Sequence, residues 1–348
     1  MPRLRRIDCS APGITRRRRG RGFEYLDEGG RRITDPAVLD RIRQLAIPPA
    51  WRDVWICPHQ MGHIQATGTD DAGRKQYRYH DAWRERRDRE KFDSMVEFAR
   101  ALPGLRRRVK RDLSADGLGR ERVLACAARL LDRGFFRVGS EDYAEENETY
   151  GLATMHKRHV QIDGPLVVFD YPSKGGSRRV QALEDPEAAD LVRVLKSRRH
   201  GGEELLAYKR GGRWVDVKSA DINDYVREAT GGDFTAKDFR TWNATVLAAV
   251  ALAVSAAARN RSRTARKRAI TRAIGEAARY LGNTPAVCRA SYIDPRVFDR
   301  FEGGLTIGGV LPELAEDASS WPDVQGAIEE AVLDLIEREH SPALEKVA

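Results

Sequence analysis

The sequence predicts an α+β fold: a small β-rich N-terminal domain, then a mainly helical domain carrying a β-hairpin insert. Three observations carry this. Up to about residue 90, short runs such as FEYL, VWICP, HIQATG and KQYRYH alternate with Gly and Asp turns, the pattern of a small antiparallel sheet. Beyond it, segments 91–101, 117–133, 186–199, 218–230, 236–259 and 262–281 show helical spacing or rich Ala, Leu and Arg content. Between residues 159 and 183, HVQIDGPLVVFDYPSKGGSRRVQAL holds two hairpin signals, Asp163-Gly164 and Lys174-Gly175-Gly176, among β-branched residues.

The elements follow in order. Positions 3–21 contain eight Arg and one acid, so residues 1–21 read as a flexible basic arm. Residues 22–90 form the β-rich domain. One helix interrupts it, with Asp35 as N-cap, Pro36 at N1 and an apolar stripe of Val38, Leu39, Ile42 and Leu45. Residues 91–304 form the helical domain. Its apolar run Ala244–Ala258 is short for a membrane span and reads as a buried helix. Residues 305–348 form an acidic tail that is expected to end in an amphipathic helix over 323–339.

Charge is unevenly spread over the 348 residues. The net charge is +9, yet the chain from Glu302 onward carries −9, leaving +18 on the rest. A basic body of this kind suits a polyanion, most simply nucleic acid. Cys9, Cys57, Cys126 and Cys288 are scattered with no C-x-x-C pair, which excludes a disulfide scaffold and fits a reduced, cytoplasmic setting. The start, MPRLRRIDCS, has no apolar signal region.

Several chemistries lack their motifs. There is no G-x-x-x-x-G-K-[ST] and no G-x-G-x-x-G, so neither ATP nor a dinucleotide has its usual cradle and no cofactor is expected. No D-x-D pair marks a carboxylate-bound magnesium. His59 and His63 near Cys57, and His156 with His159, form pairs without a complementary half and read as packing or surface residues, so no metal is expected. What remains is a set of basic and polar residues in distinctive contexts. RVGSEDYAEENETYG places Arg137 just past an apolar helix. FDYPSKGGSRRV places Lys174 at a hairpin tip. KDFRTWNATVLAA places Lys237 and Arg240 one turn apart at a helix start. LGNTPAVCRASYIDP places Asn283 before Tyr292, with a Pro break between them.

In this order, over residues 22 to about 304, these motifs resemble the type IB DNA topoisomerases, specifically the poxvirus-like and bacterial branch. The resemblance implies a tyrosine recombinase/topoisomerase IB-like catalytic domain. It implies a monomer that clamps duplex DNA in the cytoplasm, at the nucleoid, with no membrane and no nucleotide cofactor. The implied reaction relaxes supercoils by transient single-strand cleavage through a 3′-phosphotyrosyl intermediate, without ATP or a required metal. Carried over by residue, Tyr292 is the nucleophile, Arg137 and Arg240 grip the phosphate, Lys174 is the general acid, and Lys237 is a supporting lysine. Asn283 stands where the poxvirus branch has His, as in bacterial members, and cannot shuttle protons. The poxvirus branch touches DNA with a Gln-Tyr segment, which points to Gln76, Tyr77 and Tyr79, beside Arg74, Lys75 and Arg78, for DNA contacts. Arg259–Arg272 holds seven bases and no acid, and either lines the DNA or is a solvated helix face.

Elementary chemistry is consistent with these roles. A phenol with a pKa of about 10 needs cations to act as a nucleophile at neutral pH. Two permanently charged, bidentate guanidiniums can meet the charge that builds on a phosphodiester under attack. A deoxyribose 5′-oxygen leaves poorly without a proton, which a lysine can supply. Two other readings stand beside this one. A tyrosine recombinase or integrase shares the chemistry but usually carries H-x-x-R where this chain has Lys237-Asp238-Phe239-Arg240. A non-enzymatic architectural DNA-binding protein would need only the basic body. The acidic tail lies outside the resemblance and can pack as a helix, mimic DNA or bind a partner.

Overall fold

The computed structural model describes residues 3–256, 262–311, 321–338 and 341–346. They form two compact units that divide between Phe92 and Asp93. The predicted α+β class is observed, with an antiparallel sheet in the first unit and mainly helices in the second.

The first unit contains β1 (Ile14–Arg19), β2 (Gly22–Leu26), α1 (Pro36–Gln44), β3 (Arg52–Ile56), β4 (Ile64–Thr69) and β5 (Lys75–Tyr79). The strands are ordered β2-β1-β3-β4-β5, and every neighbouring pair is antiparallel. Ile14, Ile42, Val54, Ile56 and Ala66 form its core. Helix α1 starts as the sequence predicts: the Asp35 carboxylate accepts from the Ala37 N–H at 2.9 Å, and Pro36 fills the first turn.

The arginine run expected to be a flexible arm is instead a strand, since Ile14–Arg19 is β1. It is held by its backbone, which pairs with β2 from Thr15 to Arg19 and with β3 at Ile14 and Thr15. The side chains adapt to that pairing. Arg17 binds Glu24 at 2.6 Å, and Arg16 donates to the carbonyls of Pro48 and Trp51 while its guanidinium lies 4.1 Å over the Phe23 ring. A charge pattern cannot reveal such a strand, because its partner strands supply the reason for it.

Helix α2 (Asp81–Leu113) crosses the division between the units and is far longer than the segment 91–101 that the sequence suggests. The charged stretch DAWRERRDREKF is helical because its acids and bases meet at helical spacing: Arg86 and Arg87 with Glu90, and Lys91 with Asp88. The second unit continues with α3 (Arg120–Gly134), α4 (Glu141–Asn147), the antiparallel meander β6 (Val160–Asp163), β7 (Leu166–Pro172) and β8 (Arg178–Glu184), then α5 (Pro186–Ser197). The hairpin β9 (Ala207–Arg210) and β10 (Arg213–Asp216) follows, with α6 (Ser219–Thr230), α7 (Ala236–Ala256), α8 (Arg263–Leu281), α9 (Pro285–Ser291) and α10 (Pro295–Glu302). The last elements are β11 (Leu305–Thr306), α11 (Trp321–Glu337) and β12 (Glu345–Lys346), which pairs with β11.

Helices α3 and α7 form the middle of this unit. Val123, Leu124, Leu130 and Leu131 of α3 are buried, as are Phe239, Trp242, Ala244, Ala248, Leu252 and Ala253 of α7. The apolar run is therefore a core helix, and among the described residues no helix is long and apolar enough to cross a membrane. Residues 257–259 of the predicted helix, with Arg259 and Arg261 of the basic run, lie outside the described residues. The rest of that run opens α8, where Arg263, Lys267, Arg268 and Arg272 are exposed.

Candidate active site

The predicted catalytic residues sit at or near the ends of elements. Helix α3 ends at Gly134, and Phe135 then takes a left-handed conformation (φ 57°) that turns the chain toward Arg137. The segment after this turn is pinned to residues 151–153: the Leu152 N–H donates to Arg137 O at 2.8 Å and the Ala153 N–H to Val138 O at 2.7 Å. Here the backbones of Gly139 and Gly151 nearly touch, and a Cβ on Gly151 would collide with the Gly139 Cα and amide nitrogen. Gly151→Ala is therefore expected to lower the unfolding free energy by about 1–3 kcal/mol, as overpacking does, readable by urea denaturation. An unchanged midpoint would show that this crossing can relax.

Arg240 lies just past the first turn of α7. The first turn is capped by Thr235 and Asp238: the Asp238 carboxylate accepts from the Thr235 N–H at 2.7 Å and from its hydroxyl at 3.0 Å, and the Thr235 Oγ1 accepts from the Lys237 N–H at 3.3 Å. Arg240 is 3% exposed, yet Lys237, one turn earlier, faces solvent. Helix α8 closes with Gly282 in the left-handed region (φ 62°), and the chain turns at once into Asn283. Thr284 and Pro285 then start α9, whose C-cap is Tyr292. The main chain on either side of Tyr292 is tied to buried Thr245. The hydroxyl of Thr245 lies 3.3 Å from Tyr292 O and accepts from the Asp294 N–H at 3.1 Å. Lys174 is exposed at the tip of the β7–β8 hairpin, where Gly175 and Gly176 (φ 86° and 75°) make the turn.

Four of these side chains form one connected group. Arg240 donates to Phe135 O at 2.7 Å and to Leu281 O at 2.9 Å, so the ends of α3 and α8 together orient its guanidinium. Its Nη2 also reaches Asn283 Oδ1 at 3.2 Å, and Arg137 donates to that same oxygen and to Gly282 O at 3.1 Å. With Oδ1 held by two cations, only the amide N–H₂ of Asn283 is left to donate. The Arg240 guanidinium lies 5.3 Å from the centre of the Tyr292 ring.

The electrostatics follow from this packing. Burial alone would push the Tyr292 phenol up. The charges of Arg240 and Arg137 outweigh burial, hydrogen bonds from Arg240 and Asn283 assist them, and the phenol lies below its ordinary value. Arg240 is pushed down to about 10, chiefly by burial and then by the like charge of Arg137. Arg240 is buried and the half-buried Arg137 stands beside it, so a phosphate oxyanion between them would offset both the burial of Arg240 and the repulsion of the two like charges.

Arg137, Lys174, Lys237, Arg240 and Tyr292 line one cavity of about 350 Å³, together with Gly139, Ser140, Thr149 and Tyr150. Tyr150 was not singled out in the sequence, because nothing in its spacing separates it from a core aromatic. Its ring packs on His156 and His159, with centroids 4.7 and 4.5 Å away, and burial pushes His159 down to about 4. Among the described residues no group of three or more His, Cys, Asp or Glu is placed to hold a metal ion.

In the first unit the DNA-contact candidates divide between the two faces of β5. Lys75, Tyr77 and Tyr79 are exposed on one face, with the tyrosine rings stacked 5.9 Å apart. Gln76 points the other way and donates to Asp70 at 2.9 Å, and Arg74 pairs with the same carboxylate. Arg78 is likewise used locally, on Ala46 O. Strand alternation thus leaves Lys75, Tyr77 and Tyr79 as the outward set.

Comparison with known proteins adds to this geometry. Residues 80–302 match the family model described as eukaryotic DNA topoisomerase I, catalytic core, and residues 22–70 match bacterial DNA topoisomerase IB, N-terminal domain. DNA topoisomerase 1B of Acanthamoeba polyphaga mimivirus is 31% identical over 287 residues, covering 81% of this chain and 85% of the viral protein. The chain belongs to the type IB DNA topoisomerases. It is thus an isomerase, and its N-terminal domain is of the bacterial kind. Two further type I topoisomerases are similar over less of their length. DNA topoisomerase 1 of Daucus carota is 26% identical over 45% of this chain and 19% of its own, and that of Candidozyma auris is 29% identical over 45% and 20%. The topoisomerase match to the catalytic core ends at residue 302, so α11 and β12 lie beyond it.

Proposed function

We propose that this type IB topoisomerase relaxes supercoiled duplex DNA by cutting and resealing one strand through Tyr292, acting as a monomer in the cytoplasm. The observation that carries the reading is the connected group of Arg137, Arg240, Asn283 and Tyr292. In the cleavage step, Tyr292 Oη attacks the scissile phosphorus. A phosphorus–oxygen bond forms to the phenol, the bond to the 5′-oxygen breaks, and the phenolic proton passes to solvent. Arg137 and Arg240 take up the charge that develops on the nonbridging oxygens, and the Asn283 amide adds a neutral donor. Lys174 gives a proton to the departing 5′-oxygen. Lys237, on the rim beside Arg240, supports the same phosphate. The 3′-phosphotyrosine keeps the energy of the broken phosphodiester, so the freed 5′-hydroxyl attacks it and reseals the strand without ATP. Lys75, Tyr77 and Tyr79 offer a cation and two hydrogen-bonding rings to the duplex.

Supercoiled plasmid incubated with the pure protein in EDTA is expected to relax, and SDS quenching should trap protein on the 3′ end of a nick. Salt-dependent binding with neither relaxation nor a trapped adduct would overturn the reading in favour of a DNA-binding protein without catalysis. Strand exchange between two linear duplexes would instead favour a recombinase.

A further inference from the structure

We propose that Glu329, in the acidic C-terminal helix, is a positioning residue for the cleavage step, bracing the end of α3 that delivers Arg137 and anchors Arg240. The inference rests on the roles proposed above for those two arginines. It explains a part of the chain that the family match does not cover.

Helix α11 is built into the catalytic unit. Ile328, Ala331, Val332, Leu335 and Ile336 are buried at helical spacing, a continuous apolar stripe along one face. Arginines of the body meet it through a side chain and through the backbone: Arg100 binds Glu337 at 2.7 Å, and Arg300 donates to the main-chain Leu335 O at 3.1 Å. The innermost acid is Glu329, 7% exposed. Its two oxygens accept from Arg106 Nη1 at 2.6 Å and Nη2 at 2.8 Å, and Gln325 donates to it at 3.0 Å. Arg106, on α2, uses its other edge on Asp132, with Nε and Nη2 each 2.8 Å from a carboxylate oxygen. The guanidinium is thus held in two bidentate forks at once.

Asp132 lies in the last turn of α3, just before the left-handed Phe135. Its carboxylate is fixed by Arg106, and its main-chain carbonyl accepts from Asn243 at 2.9 Å, one helical turn past Arg240 on α7. This end of α3 then supplies both catalytic guanidiniums with their geometry: Phe135 O holds Arg240, and the chain continues into Arg137. Charge reinforces the contact. Arg129 and Arg133, also on α3, share Asp185 Oδ2 at 2.7 Å each. Arg129 also lies 3.6 Å from Glu187, so with Arg106, Asp132 and Glu329 the cluster has three cations and four anions. Without Glu329, Arg106 keeps only one of its two carboxylates and the edge that faced α11 is left without its anion.

The experiment compares full-length Glu329→Ala and Glu329→Gln with wild type. Amide hydrogen exchange is read at Leu152 and Ala153, whose N–H groups close on Arg137 O and Val138 O, with Val217, bonded to Leu206 O, as a control within the same unit. Exchange at Leu152 and Ala153 should rise by about tenfold or more while Val217 is unchanged, the mark of local rather than global opening. Single-turnover formation of the covalent complex at saturating DNA should slow by about tenfold, with the DNA dissociation constant unchanged, because misplaced groups cost rate more than binding. The nearly isosteric Gln variant carries the test if the Ala variant does not fold. Equal exchange in variant and wild type at Leu152 and Ala153, or a rise matched at Val217, would overturn the brace whatever the cleavage rate. Should wild type form no covalent complex while the selective exchange change is seen, the proposed function fails and the brace stands.

Discussion

Tyr292→Phe is expected to form no covalent adduct and to relax no plasmid, a fall of at least about 10⁴ in rate, the scale seen when a covalent nucleophile is removed. The structure makes this a clean substitution. The main chain of Tyr292 is held independently of its phenol, its N–H donating to Cys288 O at 2.9 Å and its carbonyl facing the Thr245 hydroxyl at 3.3 Å. A phenylalanine keeps these contacts and loses the hydroxyl with the hydrogen bonds that Arg240 and Asn283 give it. Arg137, Arg240, Lys174 and Lys237 remain to hold the phosphate, so DNA affinity should stay close to wild type. The substitution also separates two phenols, because Tyr150 lines the same cavity. Peptide mapping of any residual adduct decides between them. An adduct on Tyr150, or relaxation at the wild-type rate, would remove Tyr292 from the mechanism.

The residues of the candidate site stand in contexts that are visible in sequence, because most of them lie at or near the end of an element. A helix end before Arg137, a Gly-Gly turn after Lys174, a helix start before Arg240 and a Pro break after Asn283 are local signals. Each alone has an ordinary structural explanation; it was the resemblance of their contexts and order to type IB topoisomerases that implied one site, although Arg137 and the Asn283 it contacts lie 146 residues apart. The details that depend on distant partners were not legible. Asn283 was read as a residue that cannot shuttle protons. In the structure its oxygen accepts from two guanidiniums, Arg137 and Arg240, which leaves its N–H₂ turned away from them. The arginine run in β1 looked like a free arm because the strands on either side of it are specified elsewhere in the chain. The tail's acidity, read from composition, suggested a competitor for DNA as readily as a packed helix. Its innermost carboxylate finds its partner 223 residues away, a distance over which no periodicity speaks.

Arg240→Ala is expected to slow cleavage at saturating DNA by about 10²–10³, or roughly 2.7–4 kcal/mol of transition-state stabilisation, the scale of a lost oxyanion donor. Its pH profile should change with it. Arg240 is the largest influence lowering the Tyr292 phenol, ahead of Arg137, and it opposes the upward push of burial. Without it the phenol must rise, so the pH at which cleavage reaches half its plateau moves upward. Cleavage by the variant should accordingly recover part of its deficit in alkaline buffer. A second consequence is structural, since the carbonyls of Phe135 and Leu281 lose a buried donor. That should lower stability by about 1–3 kcal/mol, so rates belong well below the variant's melting temperature. Arg240→Lys separates the two effects. An ammonium keeps the positive charge beside the phenol, so the pH profile should stay near wild type. It cannot reproduce the planar fork that meets two carbonyls and Asn283 together, so the rate at the plateau should still fall. A plateau loss under about tenfold in the Ala variant, with the half-point of its pH profile unmoved, would show that Arg137 alone carries the charge of the transition state.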